Sequence, residues 1–379
     1  TNLVAQRAQS GNNGSMQRPP MRILDLTGSP EAMGHTHGKT YADEIQAYAE
    51  DRIALAGTEF WAGGEIDKAT VLEIAESTLP AHQAHSPDLY AEMCALAEGA
   101  GITPAEAVVV GGFTDFVDTV RSVVTGAHPD PVVEDDCTAF IVPNQRGVNG
   151  QGLYGQTWDM HDSATEHVVL LRLRPQDAPA ALVFSTVGCL GQIGMNEAGV
   201  CVGINNLTAT DGGPGVMWPS VVRAALATES ADQALQEILT ADLAGAHSFL
   251  IFDKSGAGYM VEAMPSKRPY ATLDQDALIH TNHVLWDDAQ LFEGAKNPLL
   301  KANSEKRHQE ATKLLDRHDL TPQDLMAVTR HPEAICQISS EPFHLESSGG
   351  AIMRPATGDF WAVWGVPSHN DYQHIPFHD

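Results

Sequence analysis

The sequence is 379 residues long, 43% hydrophobic and 19% charged, the balance of an ordinary soluble globular protein with enough chain to bury a core. A formal net charge of −27, from 22 basic and 49 acidic residues, argues against nucleic acid as a partner, because phosphate binding needs clustered Lys and Arg. There is no apolar run of the roughly 18 residues that a membrane helix needs, and five scattered cysteines without a Cys-x-x-Cys pair argue against a disulfide scaffold or a zinc knuckle.

Residues 1–20, rich in Gln, Asn, Gly, Ser and Pro, read as a disordered leader without the apolar core of a signal peptide. The compartment stays open: cytoplasmic, or exported with a signal already removed. Residues 22–126 read as mostly helical. Apolar residues recur at near-helical spacing from Ile66 to Leu79, Pro87 opens a further helix, and Thr103-Pro104-Ala105-Glu106 has the form of an N-cap with Pro at the first helical position.

From Ala127 to Asp136 the chain becomes a Pro-rich, acidic connector, of the kind that stays exposed. The period then switches to that of strands. Segments 138–143 and 153–158 flank a turn containing Asn149-Gly150, a hairpin signal. Strands are expected at 167–174, 180–187, 191–196 and 199–205, and helices at 218–228 and 230–241. Further strands are expected at 248–253, 257–263 and 277–281, then helices at 298–317 and 322–330, and final strands at 350–354 and 359–366. Grouped strands and grouped helices imply a layered α+β protein.

Cys137 stands at the junction between the exposed connector and the first strand. A cut at the Asp136–Cys137 bond would leave it with both a thiol and a free α-amine. An α-amine has an ordinary pKa of about 7.7–8.0 against about 8.5 for a thiol, so it can act as the base for its own nucleophile. The thiol itself could make that cut, by attacking the Asp136 carbonyl. From the residues alone, a Cys before a strand is more often a small core residue than a nucleophile.

A series of motifs in chain order changes that balance. Gly28-Ser-Pro-Glu-Ala-Met-Gly-His-Thr-His-Gly38, Cys137-Thr-Ala-Phe140, Gly155-Gln-Thr-Trp-Asp159 with Ser163-Ala-Thr165, Gly194-Met-Asn-Glu-Ala-Gly-Val200 and His280-Thr-Asn-His283 together resemble the isopenicillin N acyltransferase family, a branch of the N-terminal nucleophile hydrolases. The resemblance runs from Asp25 to about Cys336. It implies a four-layer αββα sandwich made from a leader (1–20), a helical pro-segment or α chain (21–136) and a β chain (137–379) that carries the catalytic core.

By position, the resemblance makes Cys137 the nucleophile, Asp159 the group that orients its amine, Asn282 an oxyanion donor and Asn205 a second element of the oxyanion hole. Trp158, Gln156 and Ser248 become substrate-binding candidates, and Asp136–Cys137 the cleavage site. Where fungal relatives read Ser-Ile-Cys-Arg, this chain reads Ala334-Ile-Cys-Gln337, which implies a different pocket. The activity implied is cleavage or transfer of the acyl group of a small N-acyl amide through a Cys137 thioester. One alternative is acyl-CoA-dependent N-acyl transfer, and another is a non-catalytic binding protein on the same scaffold. No cofactor and no metal are expected, because the His35/His37 and His280/His283 pairs lack a third ligand and read as structural. The expected partners are a small-molecule amide or acyl donor and the two chains of one precursor, with self-association left open.

Overall fold

The computed structural model describes residues 17–125 and 137–378. Its chain order begins with β1 (Ile23–Gly28) and eight helices: α1 (Pro30–Thr40), α2 (Ala42–Ala56), α3 (Glu59–Ala62), α4 (Lys68–Ser77), α5 (Leu79–His85), α6 (Pro87–Ala100), α7 (Pro104–Gly111) and α8 (Phe113–Thr125). After the connector come β2 (Thr138–Val142), β3 (Leu153–His161), β4 (Val168–Pro175), β5 (Ala181–Thr186), β6 (Ile193–Asn196) and β7 (Val200–Leu207), then α9 (Trp218–Leu226) and α10 (Ala231–Thr240). The remainder is β8 (Ala246–Asp253), β9 (Gly258–Ala263), β10 (Tyr270–Thr272), β11 (Leu278–His280), α11 (Asp287–Gln290), α12 (Pro298–Leu315), α13 (Pro322–Thr329), β12 (Leu345–Arg354), β13 (Asp359–Trp364) and β14 (Gln373–Ile375).

Two sheets gather these strands, an eight-stranded one in the order β1-β4-β5-β6-β7-β8-β9-β10 and a six-stranded one in the order β11-β2-β3-β12-β13-β14. Helices α9 and α10 lie on β6–β9 of the larger sheet, while α12 and α13 lie on β2, β3, β11 and β12 of the smaller. The sheets meet each other through β2 with β7 and β8, β9 with β11, and β6 with β12. This is the expected αββα sandwich. Strands β2, β5, β7 and β8 are buried along their whole length, because a sheet covered on both faces exposes neither side-chain row.

The helical segment is tied to the larger sheet by a strand that the helical reading of 22–126 does not contain. β1 pairs in parallel with β4, from Ile23 opposite Leu170 to Gly28 opposite Pro175, and buries Leu24 and Leu26 while Ile23, Asp25 and Thr27 point outward. The Gly28–Gly38 motif also has a packing explanation. A Cβ on Gly34 or Gly38 would collide with the backbone carbonyls of Glu92 and Leu96, so α1 and α6 cross almost backbone to backbone. The N-cap at Thr103 is present as a full capping box with Glu106.

Two further differences concern turns and ends. Asn149 and Gly150 both take positive φ, as the dipeptide suggests, but they sit within a longer loop spanning 143–152 rather than a tight hairpin. The short strands β10 and β14 lie outside the expected set. The expected leader ends early: Arg18 donates from its backbone to Asn370 (2.6 Å) and from its guanidinium to Glu166 (2.7 Å). Residues 1–16 and the 126–136 stretch, including Asp136, lie outside the described residues. Among the described residues, no single helix is long and apolar enough to cross a membrane.

Candidate active site

Cys137 immediately precedes β2 and is buried, 1% exposed. Antiparallel pairing sets Thr138 opposite Thr157, so the residue before β2 falls opposite Trp158 and its sulfur reaches the next residue of β3, Asp159. The Asp159 backbone N–H points at the Cys137 Sγ at 3.4 Å, and the Asp159 carbonyl lies 3.8 Å from the same sulfur. The Asp159 carboxylate is buried. Its charge reaches the thiol of Cys336 and the hydroxyl of Tyr372, adding to the burial that already pushes both pKa values up.

Asn282 arrives from the strand on the other side of β2. It follows β11, whose His280 pairs with Ala139 of β2. The turn after β11 is held by a buried carboxylate: Glu262 of β9 receives His280 Nε2 at 2.7 Å and the backbone N–H groups of Leu285 and Trp286 at 2.6 and 3.2 Å. His280 Nδ1 sits 2.6 Å from the Thr281 carbonyl, so both ring nitrogens are used within the fold. His283 contacts the Ser304 hydroxyl at 2.8 Å, and burial is the main cause that lowers its pKa to about 3. Both histidines therefore have structural partners.

Sequence reasoning did not single out Arg307. This guanidinium, on α12, is fully buried, and it links the two candidate residues directly. Nη1 donates to the Cys137 carbonyl at 2.6 Å and to Thr138 Oγ1 at 3.0 Å, Nη2 to Asn282 Oδ1 at 3.1 Å, and Nε to Asn303 Oδ1 at 2.6 Å. A guanidinium has no acceptor, so it fixes which side of the Asn282 amide is oxygen. The amide nitrogen is thereby turned away, toward the Asn206 carbonyl at 3.1 Å. The Ser304 hydroxyl and the Lys296 ammonium hold the Asn282 backbone.

Asn205 reaches the site from the opposite sheet. On β7, a Cβ at Gly203 would strike Tyr154 Oη and Gln156 Oε1 of β3, so the row 201, 203, 205 faces the smaller sheet. Asn205 is fully buried and neither its Oδ1 nor its Nδ2 finds a hydrogen-bond partner among the described residues. Directly across the ladder stands Ser248, also fully buried, with its hydroxyl likewise unpartnered among the described residues. Polar atoms in this position carry a desolvation cost of about 1–3 kcal/mol each until something pairs with them.

Two of the proposed substrate contacts have other duties. β6 begins only at Ile193, which leaves β7 beyond Val202 without a neighbour on that side among the described residues. The Gln156 amide fills in, taking the Ile204 N–H at 3.1 Å and donating to the Ile204 carbonyl, while its oxygen also receives Tyr154 Oη at 3.0 Å. Gln156 thus laces the two sheets together, with both acceptor sites of its oxygen and one of its N–H groups used within the fold. Trp158 sits in the inter-sheet core, edge-on to Phe184 with 6.2 Å between ring centres. Gln337 spends its side chain on the Ala334 and Ile335 carbonyls and on Asn303. The other four cysteines form no disulfide, and burial raises the pKa of each, Cys189 to about 11.

A curated relative, the acyl-coenzyme A:6-aminopenicillanic-acid-acyltransferase 40 kDa form of Emericella nidulans, is 24% identical over 330 residues, covering 85% of this chain and 86% of that protein. Among solved structures, a conjugated bile acid hydrolase from Clostridium perfringens aligns at 11% identity over 63% of this chain and 97% of its own, with a TM-score of 0.46. A penicillin V acylase from Agrobacterium tumefaciens aligns at 11% identity over 61% and 76%, with a TM-score of 0.33. The family model described as acyl-coenzyme A:6-aminopenicillanic acid acyl-transferase matches residues 146–353, more than half of the sequence, and the chain belongs to that family.

Proposed function

We propose that this acyl-transferring or acyl-hydrolysing enzyme works through Cys137 as an N-terminal nucleophile, freed by a cut at Asp136–Cys137. The observation that supports it most is the Arg307 guanidinium, which holds the Cys137 carbonyl and the Asn282 side chain in one grip. In the cut, the Cys137 thiol adds to the Asp136 carbonyl and the peptide nitrogen leaves as the Cys137 α-amine. Water then hydrolyses the resulting thioester to an Asp136 carboxylate and a free thiol. The products are a chain of residues 1–136, which contains the pro-segment, and a nucleophile chain (137–379).

In turnover, the Cys137 amine takes the thiol proton as sulfur attacks the carbonyl of a small N-acyl amide. Asn282 Nδ2 turns from the Asn206 carbonyl to the developing oxyanion, with Asn205 as a second donor. The amine then protonates the leaving nitrogen, and water or another amine takes the acyl group from the thioester. Asp159, buried beside the thiol, holds the Cys137 ammonium in place. Asn205 and Ser248, with their unpartnered groups, face the substrate amide.

Denaturing gels and intact masses of wild type and Cys137→Ala test this. Shared in proportion to residues, a 40.6 kDa chain cut after residue 136 gives pieces of about 15 and about 26 kDa. Wild type is expected to yield both, with Cys137 as the new N-terminus, while the variant stays whole. An intact wild type that is nonetheless active would overturn the N-terminal nucleophile reading. The family description favours a second reading, transfer from acyl-coenzyme A, and this predicts thioester consumption that depends on an added amine acceptor.

A further inference from the structure

Arg52 of α2 is completely buried, yet only part of its guanidinium is used. Nη2 donates to the Ser163 hydroxyl at 2.6 Å and to Asp51 Oδ2 at 3.0 Å. Nε and Nη1 meet no hydrogen-bond acceptor among the described residues. Asp51, on the neighbouring position of the helix, is 44% exposed, so much of its charge is spent on solvent. The guanidinium carbon lies over the rings of Tyr48 and Phe113, at 4.9 and 5.1 Å from their centres, and Trp61 stands edge-on to Phe113 at 5.1 Å.

These contacts leave a specific imbalance. A guanidinium cannot shed its proton to escape burial. The ring faces offset part of the charge, but they do not satisfy N–H groups lying in the guanidinium plane. A planar acceptor does. One carboxylate also balances one cation, whereas a phosphate would bring more negative charge than this site can match beside Asp51. The place is close to the chemistry: Ser163 follows Asp159 by four residues, no more than about 14 Å along the chain.

We infer that Arg52 is a carboxylate-binding site whose ligand is an acid group on the substrate, set in an aromatic wall of Tyr48 and Phe113. The assignment to substrate rests on the Cys137 reading. Carboxylate binding at Arg52 does not, and the two are tested apart. In the full chain carrying Cys137→Ala, where no covalent step occurs, calorimetric titration with benzoate and with its neutral counterpart benzamide reads the site. Saturable benzoate binding is expected, at least tenfold tighter than benzamide, and at least tenfold weakened by Arg52→Met. Arg52→Lys, which keeps the charge but not the planar fork, and Ser163→Ala guard against a variant that fails to fold; both should weaken benzoate and leave benzamide unchanged. An absence of saturable benzoate binding, or binding indifferent to these folded variants, overturns the inference. In processed wild type, Arg52→Met should lower kcat/KM only for amides that carry a carboxylate; equal losses for neutral amides would remove the substrate assignment.

Discussion

Single residues decide the orientation of the proposed nucleophile and its proposed oxyanion donor. Asn282 and Cys137 are legible in the sequence because each sits in a short motif, His280-Thr-Asn-His283 and Cys137-Thr-Ala-Phe140, that belongs to an ordered series. Arg307 escapes both kinds of signal, yet a trace of it exists. On α12 the buried positions are Leu300, Ser304, Arg307, Ala311 and Leu315, a stripe of helical spacing with an Arg in its middle. An Arg on the apolar face of an amphipathic helix has to have buried partners. Two variants separate the donor from the residue that aims it. Asn282→Ala should reduce kcat by about a hundred- to a thousandfold, the usual cost of an oxyanion donor. Arg307→Lys keeps the charge but cannot reach the Cys137 carbonyl and Asn282 Oδ1 together. It should slow both turnover and the cut at 136–137 by roughly tenfold or more, measured by steady-state kinetics and by the half-time of the gel shift. A full-rate Arg307→Lys enzyme would mean the guanidinium only fills space.

At the level of elements, most strands and helices after Cys137 are visible in hydrophobic pattern, because the helices pack one apolar face and the strands, covered on both faces, read as short apolar runs between turns. The three strands that were not expected, β1, β10 and β14, are short or lie at the edges of sheets, where half of the pairing and much of the burial is missing. The Gly28–Gly38 motif could be recognised but not explained from sequence, since nothing local reveals that Gly34 and Gly38 face the backbone of a helix more than fifty residues away. The contact makes a clear forecast. Gly34→Ala should destabilise the protein by at least about 2 kcal/mol, because backbone cannot move aside as a side chain does. Gly213→Ala, where nothing lies within 4 Å of the added carbon, should stay within about 0.5 kcal/mol. Chemical denaturation of both variants against wild type checks the pair.

The whole molecule is joined through buried neutral histidines. His37 Nε2 accepts the Gly188 N–H at 3.1 Å, and His82 Nε2 accepts the Met217 N–H at 3.2 Å, so helices before the connector are stitched to backbone after it. Burial lowers both pKa values, that of His37 to about 3 with the Arg223 charge assisting. Arg223 is itself paired with Glu92, while His85 and Asp115 face His82 with opposite effects. The unfolded chain takes up these protons near pH 6.5 and the folded one resists, so stability is full above that pH and falls as pH drops from 6.5 toward 3. His37 contributes a slope of about 1.4 kcal/mol per pH unit in that window, and His82 adds to the decline in the same direction. Urea titrations at several pH values should show His37→Gln, which can still accept the N–H but cannot titrate, with a shallower decline than wild type. Equal slopes would show that His37 is not held neutral. The sequence marks His37 as structural rather than metal-binding, but nothing local reveals the Gly188 N–H that it accepts, 151 residues away.

The parallel pairing of β1 with β4 has one more consequence. Before any cut, the two strands belong to a single chain, and their meeting is an intramolecular search whose cost grows only slowly with the length between them. After a cut at 136–137 they belong to different molecules, and the same sheet can re-form only by a collision of two partners. Denatured precursor should therefore refold at a rate independent of its dilution, whereas denatured mature enzyme should recover more poorly the more it is diluted. Severing one bond would make assembly a one-way event: the mature protein would depend on a continuity it no longer possesses.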